Sequence, residues 1–456
     1  MTMTETLDTL RRRVRAEMDA RLPEHLEHLT CDAAQLRALQ RERVRALLAH
    51  AAERSPFHAR RLDGVAIDRL EPDDLTALPV MTKAEMMANF DDVVTDRRLT
   101  LAAVEAHLAA SAQTPSLLLD EYVCLASGGS SGHRGVFVQT LAEHVSFSAS
   151  VVRRAVARVR SLFDEPPELV IAVVGAASPV HATGFGAATT GGPVTAVSVP
   201  ATLAMAEIVE RLNEVAAPVL MGYPSMLVRL AREQQAGRLH LAPFAITATS
   251  EAMTADDRAA ITAAFGVPVV DQFASTEGLV GHSEPGETVL TFAGDLCLVE
   301  LVDTDDQPVP IGEPSAKVLV TNLHNLTQPL IRYELTDRFV RHEDAADHGY
   351  LRATVEGRSD QVFSYGELQL HPIVVRSALV KTPAVVEYQV QQTACGIDID
   401  VVAAGTVDVR ALVAALEAGM RDAGLPDPRA RVQLVDAIAR HPQTGKVRRF
   451  VPLAEE

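Results

Sequence analysis

The sequence predicts an α/β protein with a large N-terminal domain, built of parallel and mixed sheets flanked by helices plus a β-rich subdomain. A small α+β domain follows at the C-terminus. Three observations lead there. Strand-like and helix-like runs alternate from Leu169 to Asp271, the pattern of a parallel sheet covered on both faces. After residue 279 the texture changes to short alternating strands and turns. Beyond Gly357-Arg358-Ser359-Asp360 the chain carries its own strand-helix-strand pattern over about a hundred residues, the lower end of domain size. The boundary is therefore expected at Asp360, giving domains 1–359 and 360–456. A chain of 456 residues exceeds the length, about 250–300 residues, at which single cores stop growing.

Each element has a local reason. Residues 1–60 read as helix, with Leu36, Leu39, Val44, Leu47 and Leu48 at helical spacing and Arg and Glu on the other face. Thr82 and Glu85, just after Pro79, have the spacing of a helix cap. Tyr122–Ala126 and Val136–Val138 read as short strands on either side of a loop, and a helix runs from Leu141 to Phe163 until Pro166-Pro167 ends it. Strands are then expected at 169–175, 194–199, 219–222, 244–248 and 267–271. Helices at 184–190, 203–215, 225–235 and 255–265 separate them. The β-rich part contributes strands at 296–302 and 316–321 around a turn at 303–307. In the last domain, strands at 385–391 and 432–434 flank a helix at 407–423. No internal repeat is present.

Composition excludes several classes of function. A formal charge of −18 disfavours nucleic acid or an anionic membrane as partner. Trp is absent and aromatics make up 4%, so no stacking platform for single strands is evident. Cys31, Cys124, Cys297 and Cys395 are far apart in sequence, which disfavours a zinc ribbon or a disulfide framework and fits a reducing cytoplasm. No apolar run reaches membrane-span length, and Met1–Glu5 does not open a basic-then-apolar leader. Of 42 basic residues only Lys83, Lys317, Lys381 and Lys446 are lysines. Where this chain needs mere positive charge it uses arginine, so each lysine is a candidate for a specific task.

Ser127-Gly128-Gly129-Ser130-Ser131-Gly132-His133-Arg134-Gly135 cannot be a packed core element. Glycines let backbone N–H groups approach an anion and serine hydroxyls add donors, so the loop suits a phosphate. The same composition suits a flexible linker, and strand-loop-strand flanks differ from the usual nucleotide-binding loop. Glu277, in Ser275-Thr276-Glu277-Gly278, could hold Mg2+ against phosphate oxygens or simply be solvated. Asp337 could accept hydrogen bonds from two ribose hydroxyls or form a surface pair with Arg338 or Arg332. Lys446, in Thr444-Gly445-Lys446, could neutralise a phosphate-bound transition state or belong to a basic turn. His181 is either a pocket wall or a satisfied half-buried histidine. No nucleophile elbow or triad order is present, and His and Cys never cluster at metal-ligand spacing.

Taken together, Ser127–Gly132, Phe273–Gly278, Ile331–Arg338, Gly357–Asp360 and Thr444–Lys446 resemble, in order and spacing, the adenylate-forming superfamily and its phenylacetate–CoA ligase-like branch. Ser55–Leu62, Leu78–Lys83 and Met221–Ser225 also resemble that branch, so the likeness spans nearly the whole chain. The resemblance implies an AMP-forming ligase. Such an enzyme adenylates a small, aromatic carboxylic acid with ATP and Mg2+ and passes the acyl group to CoA. Related alternatives use a carrier-protein thiol or an amine as acceptor, or activate nitrite to diazotise an arylamine; a non-catalytic nucleotide-binding relative is a further alternative. The enzyme is expected in the cytoplasm, as a monomer or homodimer.

By the same resemblance Ser127, Gly129, Ser130, Ser131, Gly132 and Arg134 would cover the triphosphate. Ser250, Glu251, Asp271, Gln272, Phe273, Thr276, Asp337 and Arg358 would complete the nucleotide site, with Thr276 at the α-phosphate, Glu277 on Mg2+, Phe273 near adenine and Asp337 on the ribose. His181, Gly184, Tyr223, Ala248, Phe273 and Ala274 would surround the acid. Asp360 would be the hinge of a mobile C-terminal domain that carries Lys446 to the α-phosphate. Departures from the family pattern are His133-Arg134 where Lys-Pro is usual, Ser130 and Ser131 where threonine is common, and Glu367 in place of a glycine on the CoA side. Gly281-His282-Ser283-Glu284-Pro285 lacks the cysteine of a metal site found in some members, so no zinc is expected.

Overall fold

The computed structural model describes the chain except residues 1–5, 112, 128–134, 164–168, 177, 191–193, 344–347, 359–362, 367, 371–373, 376–377, 380–381, 383, 404, 441–446 and 454–456. The N-terminal region divides into helices α1 (Leu7–Glu27), α2 (Ala33–Arg54) and α3 (Pro56–Arg61), not one continuous stretch. Capping chemistry makes the breaks. Asp32 and Gln35 form a reciprocal capping box at the start of α2. Ser55 ends α2 and caps α3, whose first residue is Pro56, a position that needs no N–H donor. Helix α4 (Lys83–Ala88) begins where Thr82 Oγ1 accepts the amide of Glu85 at 3.1 Å. Helices α5 (Phe90–Val93) and α6 (Leu101–Ala110) follow.

Strands β1 (Tyr122–Ala126) and β2 (Val136–Thr140) form an antiparallel hairpin, and α7 (Leu141–Leu162) starts at once behind a Thr140–Glu143 capping box. The predicted alternation then unfolds as β3 (Leu169–Gly175), α8 (Ala182–Thr189), β4 (Val194–Pro200), α9 (Met205–Val215) and β5 (Val219–Gly222). It continues with α10 (Pro224–Gln235), β6 (Ala245–Thr249), α11 (Ala255–Phe265) and β7 (Val269–Ala274). Strands β4, β3, β5, β6 and β7 lie side by side and parallel. The chain leaves β3 for β4 on one side and returns to β5 on the other, so the crevice of an α/β sheet opens at the carboxyl ends of β3 and β5.

The β-rich part is shared between two sheets. Strands β8 (Val280–Ser283) and β9 (Leu290–Phe292), and after them β13 (Asp337–Arg341) and β14 (Arg352–Arg358), continue the large sheet antiparallel from β7 to a total of nine strands. They satisfy the N–H and C=O groups that β7 would otherwise present as an open edge. Only β10 (Cys297–Val302), β11 (Lys317–Asn322) and β12 (Tyr333–Leu335) form a separate three-stranded sheet. Beneath the parallel half lies a core of Ile208, Leu212, Leu220, Met226, Leu230 and Ile246, all buried; each such side chain contributes about 1.5–3 kcal/mol.

The C-terminal α+β domain has its own core of Val390, Ile397, Ile399, Leu412, Leu416 and Phe450. It contains β15 (Phe363–Tyr365), β16 (Leu368–Leu370), β17 (Val385–Thr393), β18 (Gly396–Ala403), α12 (Val409–Asp422), β19 (Arg429–Leu434) and β20 (Phe450–Val451). Its four-stranded sheet runs β19-β18-β17-β20. Among the described residues no helix is long and apolar enough to cross a membrane.

Candidate active site

Register aligns the carboxyl ends of the parallel strands: Val174 lies opposite Gly222, Gly222 opposite Ala248, and Ala248 opposite Asp271. The segments that leave these ends carry His181, Ser225, Glu251 and Glu277. Four segments distant in sequence therefore meet at one rim.

The turn after β7 is held from behind. Gly278 has φ +101°, and a Cβ there would sit 2.2 Å from Asn322 Nδ2, so the turn requires glycine. Asn322, at the end of β11, donates to the carbonyl oxygen of Glu277 at 2.8 Å, and Cys297 Sγ donates to that of Gly278 at 3.3 Å. Glu277 is 7% exposed. Its carboxylate has no hydrogen-bond or ion-pair partner among the described residues. Burial first, and then the Glu277 charge, raise the pKa of the neighbouring Tyr333 hydroxyl, which is itself buried without a partner among the described residues. A buried carboxylate beside an unpartnered hydroxyl suits a hard cation with oxygen ligands. Thr276 occupies the same turn, half-buried.

The other predicted nucleotide residues have these partners. Asp337 in β13 and Arg358 in β14 are directly paired across the ladder. Arg332 forms a buried ion pair with Glu300 at 2.9 Å, and Arg338 donates to the Ser315 carbonyl. Phe273 meets Phe339 edge-on at 5.3 Å. Asp271 lies 3.5 Å from Arg258, and burial pushes its carboxyl up to about 6 against the pull of that arginine. Gln272 turns its amide to the carbonyl of Val151 at 3.1 Å and to His282 at 2.6 Å. Ser127 stands at the base of the glycine-serine loop, where its amide donates to the Gly135 carbonyl at 2.9 Å and its Oγ accepts the Gly135 amide at 2.8 Å. Gly129, Ser130, Ser131, Gly132, Arg134, Asp360 and Lys446 lie outside the described residues, as does the side chain of Arg358.

Of the predicted pocket residues, His181 is 9% exposed. Its Nδ1 donates to the Ala126 carbonyl at 3.0 Å, tying the start of α8 to the end of β1. Gly184 packs so closely that a Cβ would meet the Ser178 carbonyl oxygen at 2.2 Å. Ala274 packs beside Phe147 and Val280. Tyr223 and Ala248 belong to the core beneath the sheet, and the Tyr223 hydroxyl accepts the Ala176 amide at 2.9 Å.

Ser250 adopts φ +69°, a strained conformation for a residue with a side chain. It turns the chain so that Glu251 faces two amides: Oε2 accepts that of Ser225 at 3.2 Å and Oε1 that of Val447 at 3.1 Å. Helix α10 has no side-chain cap from its own N-cap residue, Tyr223; Glu251 supplies one from another strand end. Around this junction Arg440 donates to Ser225 Oγ at 3.4 Å and pairs with Glu387, and Arg449 lies 3.8 Å from Asp257. Two cavities of about 210 and 230 Å³ flank Arg229, Arg232 and Glu387 at this interface. Neither touches Glu277, Asp337 or Ser127, so the rim at the strand ends remains the candidate site.

Sequence reasoning missed Asn322, Tyr333 and the Ser225–Val447 junction. Asn322 did carry a signal. Its Oδ1 accepts the amides of His324 and Asn325, an Asx turn of the kind asparagine favours after a strand. No local pattern announces the remote bond from its Nδ2.

No protein-family model matches the chain, and no curated protein matches it in sequence. Solved structures do match it. The structure of 2-hydroxyisobutyryl-CoA ligase in the postadenylation state with 2-HIB-AMP aligns over 93% of this chain and 91% of its own, at 18% identity and a TM-score of 0.68. The same ligase with 2-HIB-AMP and CoA in the thioesterification state covers the same shares at 20% identity and a TM-score of 0.56. ATP-bound MatB from Rhodopseudomonas palustris aligns over 70% of this chain and 65% of its own, at 17% identity and a TM-score of 0.50. With its nine-stranded sheet, separate β-rich sheet and C-terminal α+β domain, the chain has the fold of the adenylate-forming CoA ligases.

Proposed function

We propose that this chain is an ATP-dependent, AMP-forming ligase that adenylates a small aromatic carboxylic acid and transfers the acyl group to CoA. The observation that carries the reading is Glu277, a buried carboxylate without a protein counter-charge among the described residues, at the strand-end rim of this fold. Glu277 would hold Mg2+, which when bound neutralises charge on the phosphate oxygens. Thr276 would hydrogen-bond the α-phosphate, Asp337 the ribose hydroxyls, and Phe273 would lie along the adenine. The acid would sit near His181, Gly184 and Ala274.

A carboxylate is a poor electrophile. When its oxygen bonds to the α-phosphorus, pyrophosphate leaves and the acyl group gains a good leaving group, AMP. Negative charge grows on the phosphorus oxygens, and Lys446 would meet it there. The reading divides the chain at Asp360 into a core of 1–359 and a domain of 360–456 that turns between two half-reactions. The larger TM-score with the postadenylation structure than with the thioesterification structure supports reading the described arrangement as one that precedes thioester formation. The proposal places the enzyme in the cytoplasm.

The test is pyrophosphate release and mass spectrometry of products with ATP, Mg2+, CoA and a panel of benzoates, phenylacetates and short acids, 2-hydroxyisobutyrate included. An acyl-CoA product from an aromatic acid supports the reading in full. Lys446→Ala is expected to abolish pyrophosphate release and leave ATP binding in place. Absence of release with every acid would overturn the reading.

A further inference from the structure

We infer that Glu251 is a positioning residue, which clasps the C-terminal tail to the core in the adenylating arrangement, and not a ligand of the nucleotide. The inference rests on the adenylation reading above and assigns this carboxylate a part in it. Both Glu251 oxygens face backbone amides, one in the first turn of α10 (Ser225, 3.2 Å) and one in the tail (Val447, 3.1 Å). Bonds from amides to a carboxylate are charge-assisted, and the N-terminus of the 12-residue α10 favours the negative charge. The two amides are 222 positions apart in sequence, so one side chain joins the core to the C-terminal domain.

The surroundings serve the same junction. Ser225 takes part twice, its amide donating to Glu251 and its Oγ accepting from Arg440 at 3.4 Å. Arg440 in turn pairs with Glu387 of β17. Arg449, two residues beyond Val447, lies 3.8 Å from Asp257 of α11 and over the Tyr388 ring at 5.5 Å. Ser250 keeps its left-handed backbone, φ +69°, a conformation that residues with a side chain adopt only under strain, and that conformation turns Glu251 toward both donors. Such strain persists only where the surroundings over-determine it.

Val447 directly follows Lys446, and consecutive Cα atoms are about 3.8 Å apart. Fixing the Val447 amide therefore limits where the chain just before it can lie. The clasp serves the step in which the acid oxygen bonds to the α-phosphorus and pyrophosphate leaves. It is not needed when a thiol attacks a finished acyl-adenylate, for which the tail has to come away from Ser225 and Glu251.

The test compares wild type with Glu251→Ala, Glu251→Gln and Ser225→Ala, the last two nearly isosteric in case the alanine at 251 misfolds. Hydrogen–deuterium exchange at 447–453, read in a peptide that begins several residues before Val447 so that its amide is retained, should speed up about tenfold in Glu251→Ala, the equivalent of one charge-assisted bond, and less in Glu251→Gln, whose carbonyl retains one of the two. Lys446→Ala should leave that exchange as in wild type. With an acid that wild type activates, ATP–pyrophosphate exchange should lose kcat about tenfold while the KM for ATP moves less than about threefold. Thioester formation from the chemically prepared acyl-adenylate and CoA should stay within about twofold. Ser225→Ala should shift each readout in the same direction by less, because its amide remains. Unchanged exchange at 447–453 in both Glu251 variants would overturn the clasp, and so would a raised KM for ATP with kcat intact, the mark of a nucleotide ligand. If wild type activates no acid, the adenylation reading falls while the peptide exchange still decides whether Glu251 holds the tail.

Discussion

Asn322 Nδ2 donates to the main-chain oxygen of Glu277 across 2.8 Å, although 45 residues separate the two in sequence. The bond ties the last residue of β11, in the three-stranded sheet, to the acidic turn after β7 of the large sheet. Asn322 is 2% exposed, and its Oδ1 also accepts two amides. Asn322→Ala would leave the buried Glu277 carbonyl, the buried Asn325 amide and the half-buried His324 amide short of partners. We expect a loss of stability of about 2–4 kcal/mol, read as a lower urea midpoint, and a larger relative loss of adenylation than of ATP binding.

Gly278→Ala tests the same turn from within. Its φ of +101° and a Cβ position 2.2 Å from Asn322 Nδ2 combine backbone strain with overlap. About 2–4 kcal/mol of destabilisation is expected, with pyrophosphate release reduced even in material that remains folded. Urea unfolding beside an adenylation assay checks both.

The buried pair of Arg153 and Asp295 anchors the N-terminal helices to the core. Two bonds of 2.7 Å join the side chains, and His28 Nδ1 lies 3.2 Å from the same carboxylate. Burial alone would raise the Asp295 pKa, but Arg153 and His28 outweigh it and hold the carboxyl far below the ordinary range. Its contribution to stability is thus fully present above about pH 4 and is lost only as the pH falls below that. Asp295→Asn, which strands a buried guanidinium, should cost about 3–5 kcal/mol. Thermal unfolding at pH 7 would show it.

Acid should nevertheless weaken the fold well before Asp295 titrates. Burial lowers His58 to about 3, His144 to about 4 and His282 to about 3. The unfolded chain, with histidines near 6.5, therefore binds more protons than the folded one at any pH between those values. Stability is highest above about pH 6.5 and falls as the pH drops, by at most about 1.4 kcal/mol per pH unit for each such histidine. Urea midpoints at pH 7.5, 6.5 and 5.5 should decline in that order. His144→Gln should flatten the decline.

The parallel half of the fold was readable because local chemistry and tertiary structure agree there. Strand Leu169–Gly175, strand Val219–Gly222 and helix Ala255–Phe265 lie where hydrophobic period and turn residues put them. Strand Gly396–Ala403 shows the same alternation, with Ile397, Ile399 and Val401 buried, yet in the sequence reading it is not separated from the neighbouring loops. The partition of the β-rich part between two sheets was not readable at all, since any of its strands could have closed the edge of β7. The site divides in the same way. Glu277 and Asp337 stand in recognisable motifs, whereas the partners that orient the rim, Asn322, Ser225 and Val447, depend on contacts between distant segments. A Tyr-Pro-Ser stretch looks the same in sequence whether it opens toward a ligand or caps a core; here the Tyr223 ring packs in the core and its hydroxyl accepts the Ala176 amide.

The pair of hydrogen bonds between Ser127 and Gly135 bears on the thermodynamics of any ligand the glycine-serine segment would take. Bringing the ends of a loop together costs entropy that grows with the logarithm of its length. Here that loss is charged to folding, through a hairpin whose strands are buried on both sides. Because Ser127 and Gly135 are already joined, a ligand bound between them in sequence would not have to close the chain. If that segment binds a polyphosphate, as proposed, weak contacts from a few amides and hydroxyls would suffice to retain it without hindering its release.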